Sequence, residues 1–420
     1  MTRVSYRGNT IEGPHESRWS GDGSRASDGL EHACPSCQAV AGHQFYALDQ
    51  IPARSCVLMS SPEQAASYPR GNLRLWLCTA CGFISNRAFD PTLGEYSASY
   101  EETQHYSREF TAFAHDLAKS WIERYNLHGK NILEIGCGKG EFLDLICRLG
   151  NNQGIGLDPA CIPDRLPASA ASRVTLIRDV YGAKYGYLAP DVILCRHTLE
   201  HIPDASEFVA DLRSVIGRGR DVLLLFELPD VTRVLRECAF WDVYYEHCSY
   251  FTAGSLARLF RRNRFELVDV KRVYGNQYLV LECRAADAPT ASRFAVEDDL
   301  AQTVADTQSF SDSTSSEIKQ WNDRLAHFAM QKQRTIAWGA GSKCVAFCTT
   351  LGVTDEIDYV VDINPHKQGM YLPGTGHRVV GIQHLREHPP NKIVVMNPIY
   401  RGEIQRELDR IGVQAELLPV

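Results

Sequence analysis

Apolar residues recur along the chain in two spacings that alternate. Over 110–125 they fall three and four apart, with Phe113, Leu117, Trp121 and Ile122 on one face, which predicts an amphipathic helix packed beside a sheet. Short apolar runs follow at 131–135, 154–158, 174–178, 191–196, 221–226, 265–270 and 277–282, separated for the most part by helix-length segments. Strands that alternate with helices predict a doubly wound parallel sheet, and the final two runs, lying close together, suit an antiparallel end. The pattern lapses over 286–332, where Ile318, Trp321, Leu325 and Phe328 read as parts of connecting helices. It restarts with strands at 335–338, 359–361 and 392–396 and a closing helix at 401–411, a second, smaller Rossmann-like unit.

The strand at 131–135 runs into a turn with glycine at Gly136, Gly138 and Gly140 and with Cys137 between the first two. Alternate glycines let the backbone turn sharply and leave no Cβ between main chain and ligand at the strand end. Glu134 adds a carboxylate beside that opening. A phosphate-binding loop would read Gly-x-Gly-x-x-Gly or end in Gly-Lys-Ser/Thr, and neither occurs here. The pattern points to S-adenosylmethionine, with a plain tight turn as the alternative. Asp158 ends the second strand, where an acidic residue meets a ribose in such folds. Asp179, just past the third, either meets the adenine amine or caps a turn. His197, closing the fourth strand, is a candidate for the methionine end, whereas His201 reads as a cap for the helix that Asp204 begins.

The densest chemical cluster, Trp241-Asp-Val-Tyr244-Tyr245-Glu246-His247-Cys248-Ser249-Tyr250-Phe251, lies in the connection after the fifth strand. Ligands of open α/β sheets bind beyond the carboxyl ends of the strands, where loops supply reacting groups. With an ordinary pKa of ~6.5, His247 is suited to proton removal, and Glu246 and Tyr244 to orienting substrate or stabilising charge. An aromatic loop packed over the sheet around a satisfied histidine is the alternative.

Two Cys-x-x-Cys knuckles, Cys34/Cys37 and Cys78/Cys81, flank strand-like runs that include 73–77. Two such knuckles complete the tetrahedral thiolate shell of a structural Zn²⁺ and leave no open ligand position. Reduced, unpaired thiols are the alternative. Cys56, between the knuckles, is either a fifth thiol near the site or a small buried residue. Near the other end, Gly339-Ala-Gly341 with Asp362 is an incomplete dinucleotide signature because Cys344 stands at the third glycine position. A nucleotide-sugar cradle or a structural duplication fits better than NAD, and Lys343 and Lys367 are candidates for meeting phosphate.

Together these elements resemble the sugar C-methyltransferases of deoxysugar biosynthesis, over about residues 32 to 420. The resemblance implies a class I methyltransferase sheet that binds one S-adenosylmethionine, a structural zinc, and a nucleotide-linked 4-keto sugar between the central and C-terminal parts. It places the family's catalytic Tyr, Glu and His on Tyr244, Glu246 and His247, and a further tyrosine among Tyr96, Tyr100 and Tyr106. The expected organisation is a disordered leader (1–31), a zinc-binding module (32–95), the methyltransferase domain (96–285), a helical connection (286–332) and a Rossmann-like domain (333–420). Ser99-Tyr-Glu-Glu-Thr-Gln104, Asn276-Gln-Tyr278 and Asn397-Pro-Ile-Tyr400 depart from the sugar enzymes and leave the acceptor open. O- or N-methylation of another small metabolite, or a non-catalytic scaffold, are the competing readings.

Length, charge and cysteine content fit this picture. The 420 residues exceed the roughly 250 at which single cores stop growing. Acidic residues outnumber basic ones, 51 to 44, with no basic block, which argues against a nucleic-acid surface. Apolar stretches such as 222–226 are far short of the ~20 residues of a membrane helix. The leader lacks the apolar core of a signal peptide, so a cytoplasmic location is expected, where 14 cysteines serve as thiols and metal ligands rather than disulfides.

Overall fold

The computed structural model describes residues 33–94, 96–217, 219–286 and 293–420. The leader read at 1–31 lies outside them. Three sheets organise the described residues. The first begins with Gly42–Pro52 (β1), Arg70–Cys78 (β2) and Ile84–Asn86 (β3), antiparallel neighbours in that order. β2 alternates buried and half-buried positions along most of its length, the period of a strand with one face in the core.

The central sheet is built from Asn131–Ile135 (β4), Gln153–Leu157 (β5), Val174–Ile177 (β6), Val192–Arg196 (β7) and Leu223–Pro229 (β8), all parallel. The continuous apolar run of β8, buried from Leu223 to Leu228, is what helices on both faces require. Ser249–Tyr250 (β9) leaves this sheet, and Phe265–Val273 (β10) and Tyr278–Ala285 (β11) return to it as the antiparallel end. The order is β10-β11-β8-β7-β4-β5-β6. Because β4 lies between β5 and β7, the strand order reverses at its carboxyl end, and that switch point opens a crevice. The helices Arg108–Tyr125 and Glu141–Gly150 cover one face, with Trp121 and Leu143 in the core. Ala205–Ile216 and Ala253–Arg262 cover the other.

β9 supplies a connection that the hydrophobic pattern does not reveal. It pairs antiparallel with β3, Ile84 opposite Tyr250 and Ser85 opposite Ser249, and so completes the N-terminal sheet. The third sheet, Thr335–Trp338 (β12), Val360–Val361 (β13), Val379–Val380 (β14), Lys392–Val395 (β15) and Glu416–Pro419 (β16), is parallel in the order β14-β13-β12-β15-β16.

Three local expectations change. The connection expected as several helices holds one 31-residue helix, Leu300–Met330, which buries Phe310, Trp321 and Leu325 in a core shared with β1, β2 and the helix Ser342–Leu351. β8 starts two residues later than expected and continues past Phe226, because Arg196 neutralises Glu227 inside the sheet at 2.6 Å. β14 and β16 were not expected; a two-residue strand and an edge strand carry little apolar pattern.

Candidate active site

The crevice at the end of β4 is walled by the glycine turn. Gly136, Gly138 and Gly140 all have left-handed φ, 70°, 55° and 83°, where a Cβ is strained. At Gly136 a Cβ would lie 1.9 Å from Thr198 Oγ1, and at Gly138 2.6 Å from Glu102 Oε1. Glu134 is buried in β4 with Oε2 lacking a hydrogen-bond partner, and burial pushes its carboxyl up to about 8. A buried carboxylate oxygen left unpaired fits a cationic group, which the ammonium of S-adenosylmethionine supplies. Asp158 accepts from Gly138 N–H at 2.9 Å and Ala160 N–H at 2.6 Å, so it braces the turn while each oxygen keeps a further lone pair. The Cys137 thiol packs inward, where a Cβ on Gly156 would meet it at 2.6 Å.

Asp179 stands apart from this group. It accepts from Val180 N–H at 2.8 Å, Tyr185 hydroxyl at 2.6 Å and Lys184, an arrangement that matches the turn-capping alternative. His197 sits at φ 48° with Nε2 3.3 Å from Glu227 Oε1, edge-on to Tyr278 at 4.6 Å. Burial works against its charged form, yet Glu227 and Glu200 raise it to about 9.

Opposite the turn, the loop after β8 gathers the predicted trio. Glu246 Oε1 accepts from Ser55 N–H at 3.1 Å and Oε2 from the Tyr100 hydroxyl at 2.8 Å. His247, buried, meets the rings of Tyr244 at 4.6 Å and His201 at 4.8 Å. Burial, reinforced by the charges of His201, His197, Lys343 and Arg54, pushes it well below the usual histidine range, which favours the neutral imidazole. Tyr244 differs from expectation. Its hydroxyl donates to Asp242, which also pairs with Arg233 and Lys343, and that proton is therefore engaged rather than free for a substrate oxygen.

Two of the three candidate tyrosines arrive here. Tyr100 holds Glu246; Tyr96 places its hydroxyl 2.7 Å from His201 Nδ1, under the Arg54 guanidinium at 4.1 Å. Tyr106 is exposed, beside His366. His201, expected as a helix cap, instead faces the loop, with Nδ1 3.0 Å from the Glu246 carbonyl. Its place at the end of a parallel strand was a usable signal, whereas Arg54 and Ser55 carried none; Lys343, read as a candidate for meeting phosphate, pairs with Asp242. The three departing motifs meet as well. Gln277 and Asn397 exchange amide bonds at 2.9 and 3.0 Å, and Tyr400 donates to Gln104 at 3.0 Å.

Away from the crevice, Cys34, Cys37, Cys78 and Cys81 bring their sulfurs within 4.8 Å of one another. The Cys34–Cys81 and Cys37–Cys78 separations, 3.7 and 3.6 Å, match the edge of about 3.8 Å expected for a tetrahedron with Zn–S near 2.3 Å. Gln38 and Gly82, each following a knuckle, have φ of 64° and 72° and close the turns. These four thiols fit a structural zinc.

Residues 104–270 match the family model of a methyltransferase domain, and 284–415 match that of the C-methyltransferase C-terminal domain. These matches make the chain an S-adenosylmethionine-dependent methyltransferase. This methyltransferase is 26% identical over 314 residues to the C-methyltransferase NovU of Streptomyces niveus, a match covering 67% of this chain and 70% of that one. The ubiquinone biosynthesis O-methyltransferase of Pseudomonas aeruginosa is 30% identical over 114 residues, 26% of this methyltransferase and 49% of its own length. Among solved structures, the 1,6-didemethyltoxoflavin-N1-methyltransferase of Burkholderia thailandensis aligns with a TM-score of 0.33 at 20% identity, covering 41% of this chain and 79% of that one. No helix among the described residues is long and apolar enough to cross a membrane.

Proposed function

We propose that this methyltransferase methylates the carbon α to a ketone, on a nucleotide-linked 4-keto deoxysugar, with His247 as the base. The observation that carries the reading is the buried imidazole of His247 packed against Tyr244 and His201, in a loop whose Glu246 is held by Tyr100, itself bonded through its carbonyl to Lys139 of the glycine turn. The C-methyltransferase C-terminal model and the NovU match support transfer to carbon.

The ketone acidifies its neighbouring C–H. His247 takes that proton, the electron pair moves to an enolate, and the enolate carbon forms the new C–C bond as the carbonyl returns. S-adenosylmethionine, when bound, would supply the electrophilic methyl group, its sulfur keeping the electron pair of the broken S–CH3 bond and leaving as the thioether. Glu134, Asp158 and the Gly136–Gly140 backbone hold that end of the reaction, and reacting atoms roughly 3 to 3.5 Å apart account for much of the acceleration. Glu246 fixes the loop that carries His247 through Ser55 and Tyr100. Tyr244 reaches an enolate oxygen only by turning its hydroxyl from Asp242. The zinc held by the four cysteines takes no part in bond making; it anchors β2 and, through β3 and β9, the reactive loop.

The test is a nucleotide-linked 4-keto sugar deuterated at the α carbons. Deuterium lost in step with methyl incorporation supports C-methylation, whereas retention in a methylated product points to the O- or N-transfer reading. His247→Asn is expected to keep S-adenosylmethionine binding by calorimetry and to lose transfer; undiminished turnover would remove the base assignment.

A further inference from the structure

Besides the four cysteines, one more set of side chains among the described residues brings metal-binding atoms together. A Glu200 carboxylate oxygen and ring nitrogens of His201 and His247 lie within 4.8 Å of one another. Glu200 is 3% exposed and its Oε2 has no hydrogen-bond partner; its other oxygen is 3.7 Å from His197 Nδ1. An unpaired carboxylate oxygen at that depth is costly unless a cation or donor completes it.

The histidines are prepared for the same role. The Glu246 carbonyl, 3.0 Å from His201 Nδ1, can only accept, and the tautomer that satisfies it protonates Nδ1 and leaves the Nε2 lone pair for a metal. Tyr96 oxygen, 2.7 Å from the same nitrogen, fixes the ring. A backbone carbonyl or hydroxyl behind the non-ligating nitrogen is the usual outer support of a metal-binding histidine. His247 meets His201, Tyr244 and Tyr250 by ring contacts.

We propose that Glu200, His201 and His247 bind a divalent transition metal ion of the zinc class, and that the ion, by occupying His247, blocks methyl transfer. Two imidazoles and one carboxylate select zinc, cobalt or nickel over magnesium or calcium, which prefer all-oxygen shells. The span of 4.8 Å must contract, since donors about 2.0 to 2.2 Å from zinc sit roughly 3.5 Å apart. Glu200 and His201 share one short turn, Leu199–His201, so His247 is the group that closes on them. The metal site stands on the donor geometry; the inhibitory role rests on His247 being the base.

The test uses the full chain with its cysteine cluster filled with zinc, titrated with Co²⁺ and followed by calorimetry and visible absorption. One Co²⁺ is expected to bind with weak ligand-field bands and no intense thiolate charge-transfer band. Glu200→Gln and His201→Gln are each expected to weaken it at least tenfold, in keeping with the loss of one ligand. Each variant is first shown to bind S-adenosylmethionine as the parent does; Glu200→Gln, isosteric, carries the test alone if the other fails to fold. Cobalt appearing only with thiolate charge transfer, or binding unchanged in Glu200→Gln, overturns the site. Zinc binding there without loss of transfer overturns the inhibitory role. Absence of transfer to any keto sugar with cobalt binding intact falls on the proposed function instead.

Discussion

Tyr100 donates its phenolic hydrogen to Glu246 Oε2 at 2.8 Å, joining groups 146 residues apart in the chain. Replacement by Phe leaves the Glu246 carboxylate buried with only the Ser55 N–H on its other oxygen. A hydrogen bond to a buried charge is worth roughly 1.5 to 3 kcal/mol, so Tyr100→Phe is expected to lower stability by about 2 kcal/mol in urea unfolding. Turnover falls with it while S-adenosylmethionine affinity holds. Unaltered stability and turnover would show that the pair does not organise the loop.

Gly136→Ala is expected to abolish measurable S-adenosylmethionine binding by calorimetry, since its Cβ would fall 1.9 Å from Thr198 Oγ1 at a φ of 70°. Gly129→Ala separates strain from collision. Its φ is 64° with no neighbour within 4 Å, so it loses only the ~1–2 kcal/mol of a left-handed residue and binds normally. Equal behaviour of the two variants would argue against a ligand cradle at the first.

Binding should also report the Glu134 proton. Burial raises this carboxyl to about 8 in the ligand-free protein, and a cationic ammonium beside it favours the ionised form and lowers it in the complex. Below about pH 8 a proton must leave on binding, so affinity rises with pH, by at most about tenfold per unit, and levels off above. Calorimetry in buffers of different ionisation enthalpy measures the released proton. Glu134→Gln removes the release; no release in the parent protein would dissociate Glu134 from the ammonium.

The purified protein is expected to carry one zinc, and Cys78→Ser to lose it. Cys78 ends β2, β2 pairs with β3, and β3 pairs with β9, so metal loss loosens the loop bearing His247. Hydrogen exchange should quicken at Ser249 and Tyr250 on chelation. Unchanged exchange there would separate the zinc from the reactive loop.

Much of this was legible in the chain because local rules act on neighbours. A strand followed by alternate glycines has few conformations other than a turn open to a ligand, so Gly136, Gly138 and Gly140 announced their φ values. Cysteines two residues apart announced their knuckles. Asp179 was ambiguous for a related reason, because a carboxylate after a strand serves a turn as readily as a ligand, and here Tyr185 and Lys184 take it.

Sequence by itself determined the succession of the central strands and their helices, the turn at Gly136, the four thiols and the loop of Tyr244, Glu246 and His247, each set by periodicity or short spacing. Only the tertiary structure decided which distant groups complete them. It chose Tyr96 and Tyr100 over Tyr106, turned His201 from a cap into a neighbour of His247, engaged Tyr244 with Asp242 and Lys343, and sent β9 into the N-terminal sheet. These pairings have no local signature. They arise when buried polar groups must find partners wherever packing brings them, and that requirement spans the chain rather than a window of it.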